Sequence, residues 1–205
     1  MAAAARLCYS SVGASELSER MTDEQVDKLL TRLRTSHHDS PLEHVSFTFA
    51  IEGISRALSH QLVRHRIASY SQQSQRYVQE DAFDYIVPEA IQQNSRALAI
   101  FEKMMADAQK AYSDLVKEGI EAEDARYVLP NATETKIVVT MNARTLLHYF
   151  AERCCSRAQL EHQRLANAML AEVVQIAPVL FYGAGAPCIS GACPEGSMSC
   201  GKPKK

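Results

Sequence analysis

Val45, Phe47, Phe49 and Ile51 alternate with Ser46, Thr48, Ala50 and Glu52. A period of two sustained over eight residues predicts a strand with one buried face. It constrains the fold because the segments around it have the other period. Before it, Val26, Leu29, Leu30 and Leu33 recur at helical spacing. Thr22, with Gln25 three residues on, has the form of a capping box, so a helix is predicted over about 23–35. After it, Gly53 closes the strand and a helix runs from about Ser55 to His65. Pro88 and Glu89 open a long helical pattern to Glu118, with Gly119 as its C-cap. A shorter helix ending near Leu129-Pro130 carries Arg126. Lys136–Met141 reads as a second strand, and helices follow over about 143–154 and 157–177, the last stopped by Pro178. Two short strands among so much helix give an α+β class: a small mixed or antiparallel sheet packed with long helices. Strand order is not readable.

No internal repeat and no Pro/Gly-rich linker interrupts the chain before Gly183. One domain over 1–182 is expected, followed by a tail over 183–205 rich in Gly, Pro, Ser and Cys. No apolar run approaches membrane length, and Met1–Ala5 lacks the charged and apolar regions of a signal peptide. The protein is expected to be cytoplasmic, which makes its six cysteines thiols rather than disulfides. Cys188, Cys193 and Cys200 are separated by four and six residues, unlike a zinc ribbon, and three ligands leave a tetrahedral site incomplete. The expectation is a mobile, thiol-bearing tail without metal, whose removal spares the core activity.

Function concentrates elsewhere. Arg64, His65, Arg66, Ser69, Ser71, Ser74 and Arg76 fall within thirteen residues, the first three at the C-terminal end of the predicted helix and the rest in a segment (67–77) without apolar periodicity that reads as an ordered loop. Between Gly53 and Gln79 there are four arginines, two histidines and no acid. Guanidinium forks suit phosphate or carboxylate, and such a cluster without counter-charge awaits an anion. The chain as a whole has a net charge of -2. A nucleic-acid-binding module would carry a basic excess, so a pocket for a small phosphorylated molecule is the better reading.

Other constellations are weaker. Ser74 sits in no G-x-S-x-G elbow and has no base–acid pair beside it, so it is a hydrogen-bonding group rather than a nucleophile. His37, His38 and His44 with Asp39 and Glu43 crowd eight residues. Their spacing across Pro41 is not the one-face spacing of H-E-x-x-H, which leaves a capped polar turn or a ligand-contacting turn. Arg144, Arg153, Arg157 and Arg164 lie on the last helices, where Glu152 and Glu161 offset some of their charge.

Arg64-His65-Arg66 with Ser74 after seven residues resembles the signature of the flavin-dependent thymidylate synthases. Ala5-Arg6, His38–His44, Ala125–Pro130 and Asn142-Ala143-Arg144 followed by Arg153 agree in order and spacing, over roughly residues 2–182. The resemblance implies that family's fold and a homotetramer with FAD sites shared between subunits. It implies an enzyme that makes dTMP from dUMP, taking carbon from methylenetetrahydrofolate and using NADPH to reduce FAD, with neither nucleic acid nor membrane as partner. Carried over, His38, Ser40, Arg64, His65, Arg66, Gln72, Asn142, Arg144 and His148 contact FAD. Gln61, Arg64, Gln72, Ser74, Arg76, Arg126 and Arg153 hold dUMP, and Arg153 is the catalytic group that activates the uracil. The sequence departs from the family at four places. The family usually has a strand before the segment matching Ala2–Ser10, where this sequence begins, so either the true start lies upstream or an edge strand is lacking; Gln72 stands where some members have glutamate, Arg157 where others have histidine, and His148 where some relatives have asparagine.

Overall fold

The computed structural model describes residues 1–78 and 82–202; Gln79, at the end of the basic segment, and the last three residues of the tail lie outside them. The chain is divided between two compact units, one holding Met1–Phe49, Ile67–Ser69 and the chain from Thr140 on, the other Ala50–Arg66 and Tyr70–Val139.

In the first unit, α1 (Ala2–Leu7) and α2 (Ala14–Arg20) precede α3 (Asp23–Thr35). The capping box is present: the Gln25 N–H donates to Thr22 Oγ1 at 3.3 Å, and the Thr22 N–H donates to Gln25 Oε1 at 3.2 Å. α3 ends with His37 in the left-handed region at φ 54°. The N–H groups of His37 and His38 return to the carbonyls of Arg34 and Leu33, which satisfies the last turn's open acceptors. The capped polar turn expected here is thus a helix stop, followed by a 3₁₀ turn over Ser40–His44. α8 (Ala143–Arg153) and α9 (Leu160–Ile176) supply most of this unit's core, with Tyr149, Phe150, Ala166 and Val173 fully buried. Phe181, in α10 (Pro178–Phe181), meets Phe47 edge-on at 5.4 Å and Phe150 at 6.0 Å. Those aromatic contacts explain the inward face of the alternating strand.

The sheet has three strands: β1 (Ser46–Ser55), β2 (Ser69–Gln72) and β3 (Glu134–Asn142), in the order β1-β3-β2, antiparallel. Thr48 faces Thr140 through a 2.9 Å hydroxyl pair, while the Gly53 N–H donates to Glu134 Oε1 at 3.1 Å. Rising numbers on β1 therefore meet falling numbers on β3. Gly53 does not close β1: at φ 69° it kinks a strand that runs on to Ser55.

In the second unit, Ser55 caps α4 (Arg56–Leu62), accepting the Leu58 N–H at 3.0 Å. The Arg56 and Ala57 N–H groups donate to the carbonyls of Thr133 and Asn131, both at 2.9 Å. α4 is shorter than predicted, so Arg64-His65-Arg66 lies on the turn beyond it. The expected loop over 67–77 contains β2, whose Ser-Tyr-Ser-Gln composition hides it from a hydrophobicity pattern. The predicted long helix breaks into α5 (Glu89–Gln92) and α6 (Ser95–Lys117), because Asn94 stops one and caps the next by accepting the Ala97 N–H. Gly119 ends α6 at φ 83°, with its own N–H and that of Ile120 bonded to the carbonyls of Val116 and Leu115. Met105 and Ala108 of α6 bury Phe83 with Tyr85, Phe101, Leu129 and Ala132 packed around them. α7 (Ala122–Ala125) runs into a 3₁₀ turn over Arg126–Val128.

Candidate active site

The arginine-rich turn is held by one tyrosine. The Tyr70 hydroxyl donates toward the Leu62 and His65 carbonyls at 2.8 and 2.9 Å. Burial pushes its pKa up to about 12. His65 is buried, whereas Arg64 and Arg66 are exposed and have no ion-pair partner among the described residues. The turn therefore presents two guanidinium groups outward from a backbone fixed at its base.

Gln72 is anchored inward: its amide nitrogen donates to Ser59 Oγ at 2.9 Å and Thr135 Oγ1 at 3.1 Å. Only its carbonyl oxygen remains for a ligand. Ser74 Oγ accepts the Arg76 N–H at 3.2 Å, tightening the turn that carries Arg76. The Arg76 guanidinium donates to Glu123, with Nε at 2.8 Å, and lies 5.4 Å from the Tyr77 ring centre. Its hydrogen bond to Glu123 keeps it firmly protonated.

Close by in the fold of this unit is a cavity of about 230 Å³ lined by Arg56, His60, Gln75, Arg126, Tyr127 and Asn131, among others. Arg56 and His60 are one helical turn apart on α4, so they share a face. The Arg126 Nε–H is tied to the Glu123 carbonyl at 2.9 Å. Arg56 has its pKa lowered, first by burial and then by the charge of Arg126. Among the described residues, no acid lines this cavity. Gln75 Nε2 is buried with no hydrogen-bond partner among the described residues. Two guanidinium groups and an unsatisfied amide donor converging on one space are complementary to a phosphate.

The remaining predicted residues belong to the first unit. Ser40 opens the 3₁₀ turn, and His38 is exposed just before it. Asn142 caps α8, its side-chain oxygen accepting the Thr145 N–H at 2.8 Å, which leaves its amide N–H groups. Arg144 pairs with Glu43, and His148 lies 3.2 Å from Glu152. Arg153, half-buried at the end of α8, lines a second cavity of about 470 Å³. Part of the tail, expected to lie outside the core, walls that cavity: Pro187, Cys188, Cys193, Pro194 and Glu195 all face it. Arg157 meets Glu195 there at 2.7 Å. Among the described residues, no group of three His, Cys, Asp or Glu is arranged for a metal ion.

The sequence matches the profile of the family described as thymidylate synthase complementing protein over residues 1–179. It is 53% identical to the flavin-dependent thymidylate synthase of Clostridium tetani, covering 98% of this chain and 88% of that protein. It is 55% identical to that of Geobacter sulfurreducens with the same coverage. The enzyme of the same name from Nitratidesulfovibrio vulgaris is 49% identical, again over 98% and 88%. This chain belongs to that family.

Within each unit, donors without a counter-charge are of the kind that suits an anionic ligand. Arg64 and Arg66 are exposed and unneutralised, the Asn142 amide has free donors, and Gln75 is an orphaned buried donor beside Arg56 and Arg126. Sequence reasoning counted Arg56 and His60 only among the four arginines and two histidines of their segment, and passed over Gln75. The i, i+4 spacing of Arg56 and His60 at the start of α4 is a signal that could have found the pair. Nothing local marks Gln75, whose unsatisfied amide becomes visible only in the folded chain.

Proposed function

We propose that this protein is a flavin-dependent thymidylate synthase that converts dUMP to dTMP, with FAD as cofactor, methylenetetrahydrofolate as carbon donor and NADPH as reductant. It works as a cytoplasmic homotetramer with active sites shared between subunits, residues 1–182 being the catalytic domain and 183–205 an appended segment. The observation that carries the reading is the cavity in which Arg56, Arg126 and the unsatisfied Gln75 amide converge, with no acid among its described lining residues.

In this reading Arg56, Arg126 and Gln75 take the dUMP phosphate, with Ser74 and Arg76 at its edge. Arg76 then shares its guanidinium between Glu123 and the nucleotide. Gln61, Arg64 and the Gln72 carbonyl orient the sugar and base. Arg153 donates to the uracil and stabilises the negative charge that develops on the ring when its C5 becomes nucleophilic. Substituting methyl for hydrogen at C5 then requires the C5 proton to leave. Arg64, His65, Arg66, His38, Ser40, Gln72, Asn142, Arg144 and His148 hold FAD. The bound flavin supplies the two-electron chemistry, and the chain supplies position and charge. No enzymic nucleophile is needed, in keeping with a Ser74 hydroxyl engaged in its own turn.

The purified protein should be yellow and should oxidise NADPH faster when dUMP is added, with dTMP appearing in the presence of methylenetetrahydrofolate. A colourless folded protein, or NADPH oxidation indifferent to dUMP, would contradict the reading.

A further inference from the structure

Three of the six cysteines face one space. Cys155, on the turn after α8, lines the 470 Å³ cavity together with Cys188 and Cys193 of the tail, and Arg153 lies on the same wall. None of the three is held in a disulfide, and all are half-buried, hence reachable by a small oxidant. The tail segment that carries two of them is seated at both ends. At its root, Ala186 is buried, and Gly185 at φ 132° lies so close to Ile189 that an added Cβ would come within 2.8 Å of the isoleucine Cδ1. At its far end, Glu195 is paired with Arg157 at 2.7 Å. Between those anchors, Pro187–Ile189 forms a 3₁₀ turn that places Cys188.

We propose that Cys155 and one of the tail thiols, Cys188 or Cys193, form a reversible disulfide that fastens this segment over Arg153. The bond is a redox lock on the proposed synthase, and its effect on turnover rests on the role given to Arg153. The oxidant is hydrogen peroxide. One thiolate attacks a peroxide oxygen, breaking the O–O bond and releasing one water as a sulfenic acid forms. The second thiol displaces the hydroxyl, which leaves as a second water with the S–S bond made. Both sulfurs are oxidised and the two peroxide oxygens reduced, and a dithiol returns the pair to the starting state by exchange. Seating the partners in one cavity makes the second step intramolecular, so it outruns capture by a free thiol. Intracellular disulfides of this transient kind are regulatory rather than structural.

The test uses the full-length, flavin-loaded protein treated with hydrogen peroxide, then digested without reductant for mass spectrometry. The expected result is a peptide joining Cys155 to Cys188 or Cys193, lighter by two hydrogens. Arg153 becomes protected from phenylglyoxal, dTMP formation is lost, and dithiothreitol reverses all three changes. The double variant Cys188→Ser, Cys193→Ser should keep its basal activity and resist peroxide. A bond confined to Cys188 and Cys193, a cross-link that leaves turnover intact, or inactivation that persists in the double variant would overturn the proposal. So would a zinc ion copurifying with the protein and masking these thiols. A protein that makes no dTMP before oxidation contradicts the synthase reading instead, because the cross-link and the phenylglyoxal protection are scored without turnover.

Discussion

Replacing Arg56 with glutamine separates the two things this arginine does. Without ligand, its guanidinium is half-buried and faces Arg126 across a cavity with no acid among its described lining residues. The folded state carries that like-charge repulsion, which partial solvation limits to about 1 kcal/mol or less. With dUMP bound, the same group donates charge-assisted hydrogen bonds to phosphate worth roughly 1.5–3 kcal/mol. Arg56→Gln is therefore predicted to weaken dUMP binding by about 10- to 150-fold, at 1.4 kcal/mol per decade. The unliganded protein should melt at the same temperature or slightly higher. The contacts that fix the start of α4 are made by the Arg56 backbone N–H and are unaffected by the change. Calorimetric titration with dUMP and a thermal melt without nucleotide read the two effects separately. Unchanged dUMP affinity, or a melt lowered by several degrees, would refute the reasoning and make Arg56 a structural residue.

Arg153→Ala is predicted to lower turnover by about 10²–10³-fold, the usual loss of one transition-state donor, with flavin absorbance retained; equal loss of flavin would assign Arg153 to cofactor retention. Gly119→Ala meets no neighbouring atom but forces a side chain to φ 83°, so it should cost about 1 kcal/mol and lower the melting temperature by roughly 2–4 °C without changing activity. An unchanged melt would sink that reading of the α6 stop. Tyr70, with its folded pKa raised to about 12 from an unfolded value of about 10, contributes stability that is complete below the lower value and lost as pH rises through the higher one. Denaturant unfolding in that alkaline window should show the decline, and Tyr70→Phe should remove it; an identical decline in the variant would place its origin elsewhere.

What was legible in the sequence is what local chemistry determines. The capping box of α3, the buried face of β1, β3 and the glycine stop of α6 each follow from residues a few positions apart. β2 was not legible, because a four-residue polar strand owes its existence to pairing with β3 and to Tyr70 and Gln72 reaching inward. The break at Asn94 was hidden by helical spacing that continues across it. At the site, the Arg64–Arg66 turn and its lack of acids could be read directly. Gln75 and the facing of Arg56 by Arg126 could not, since both depend on α4 and the turn after α7 being brought to one cavity. The placement of the tail thiols beside Arg153 is likewise a tertiary fact.

The central claim is that Arg153 and the nucleotide cavity serve methylation of dUMP at C5. The direct measurement is release of tritium from dUMP labelled at that carbon, with FAD, NADPH and methylenetetrahydrofolate supplied together and then omitted one at a time. The account predicts release matched by dTMP with the complete mixture, and loss of dTMP on each omission. A folded, flavin-bound protein that releases no tritium from the complete mixture would contradict it.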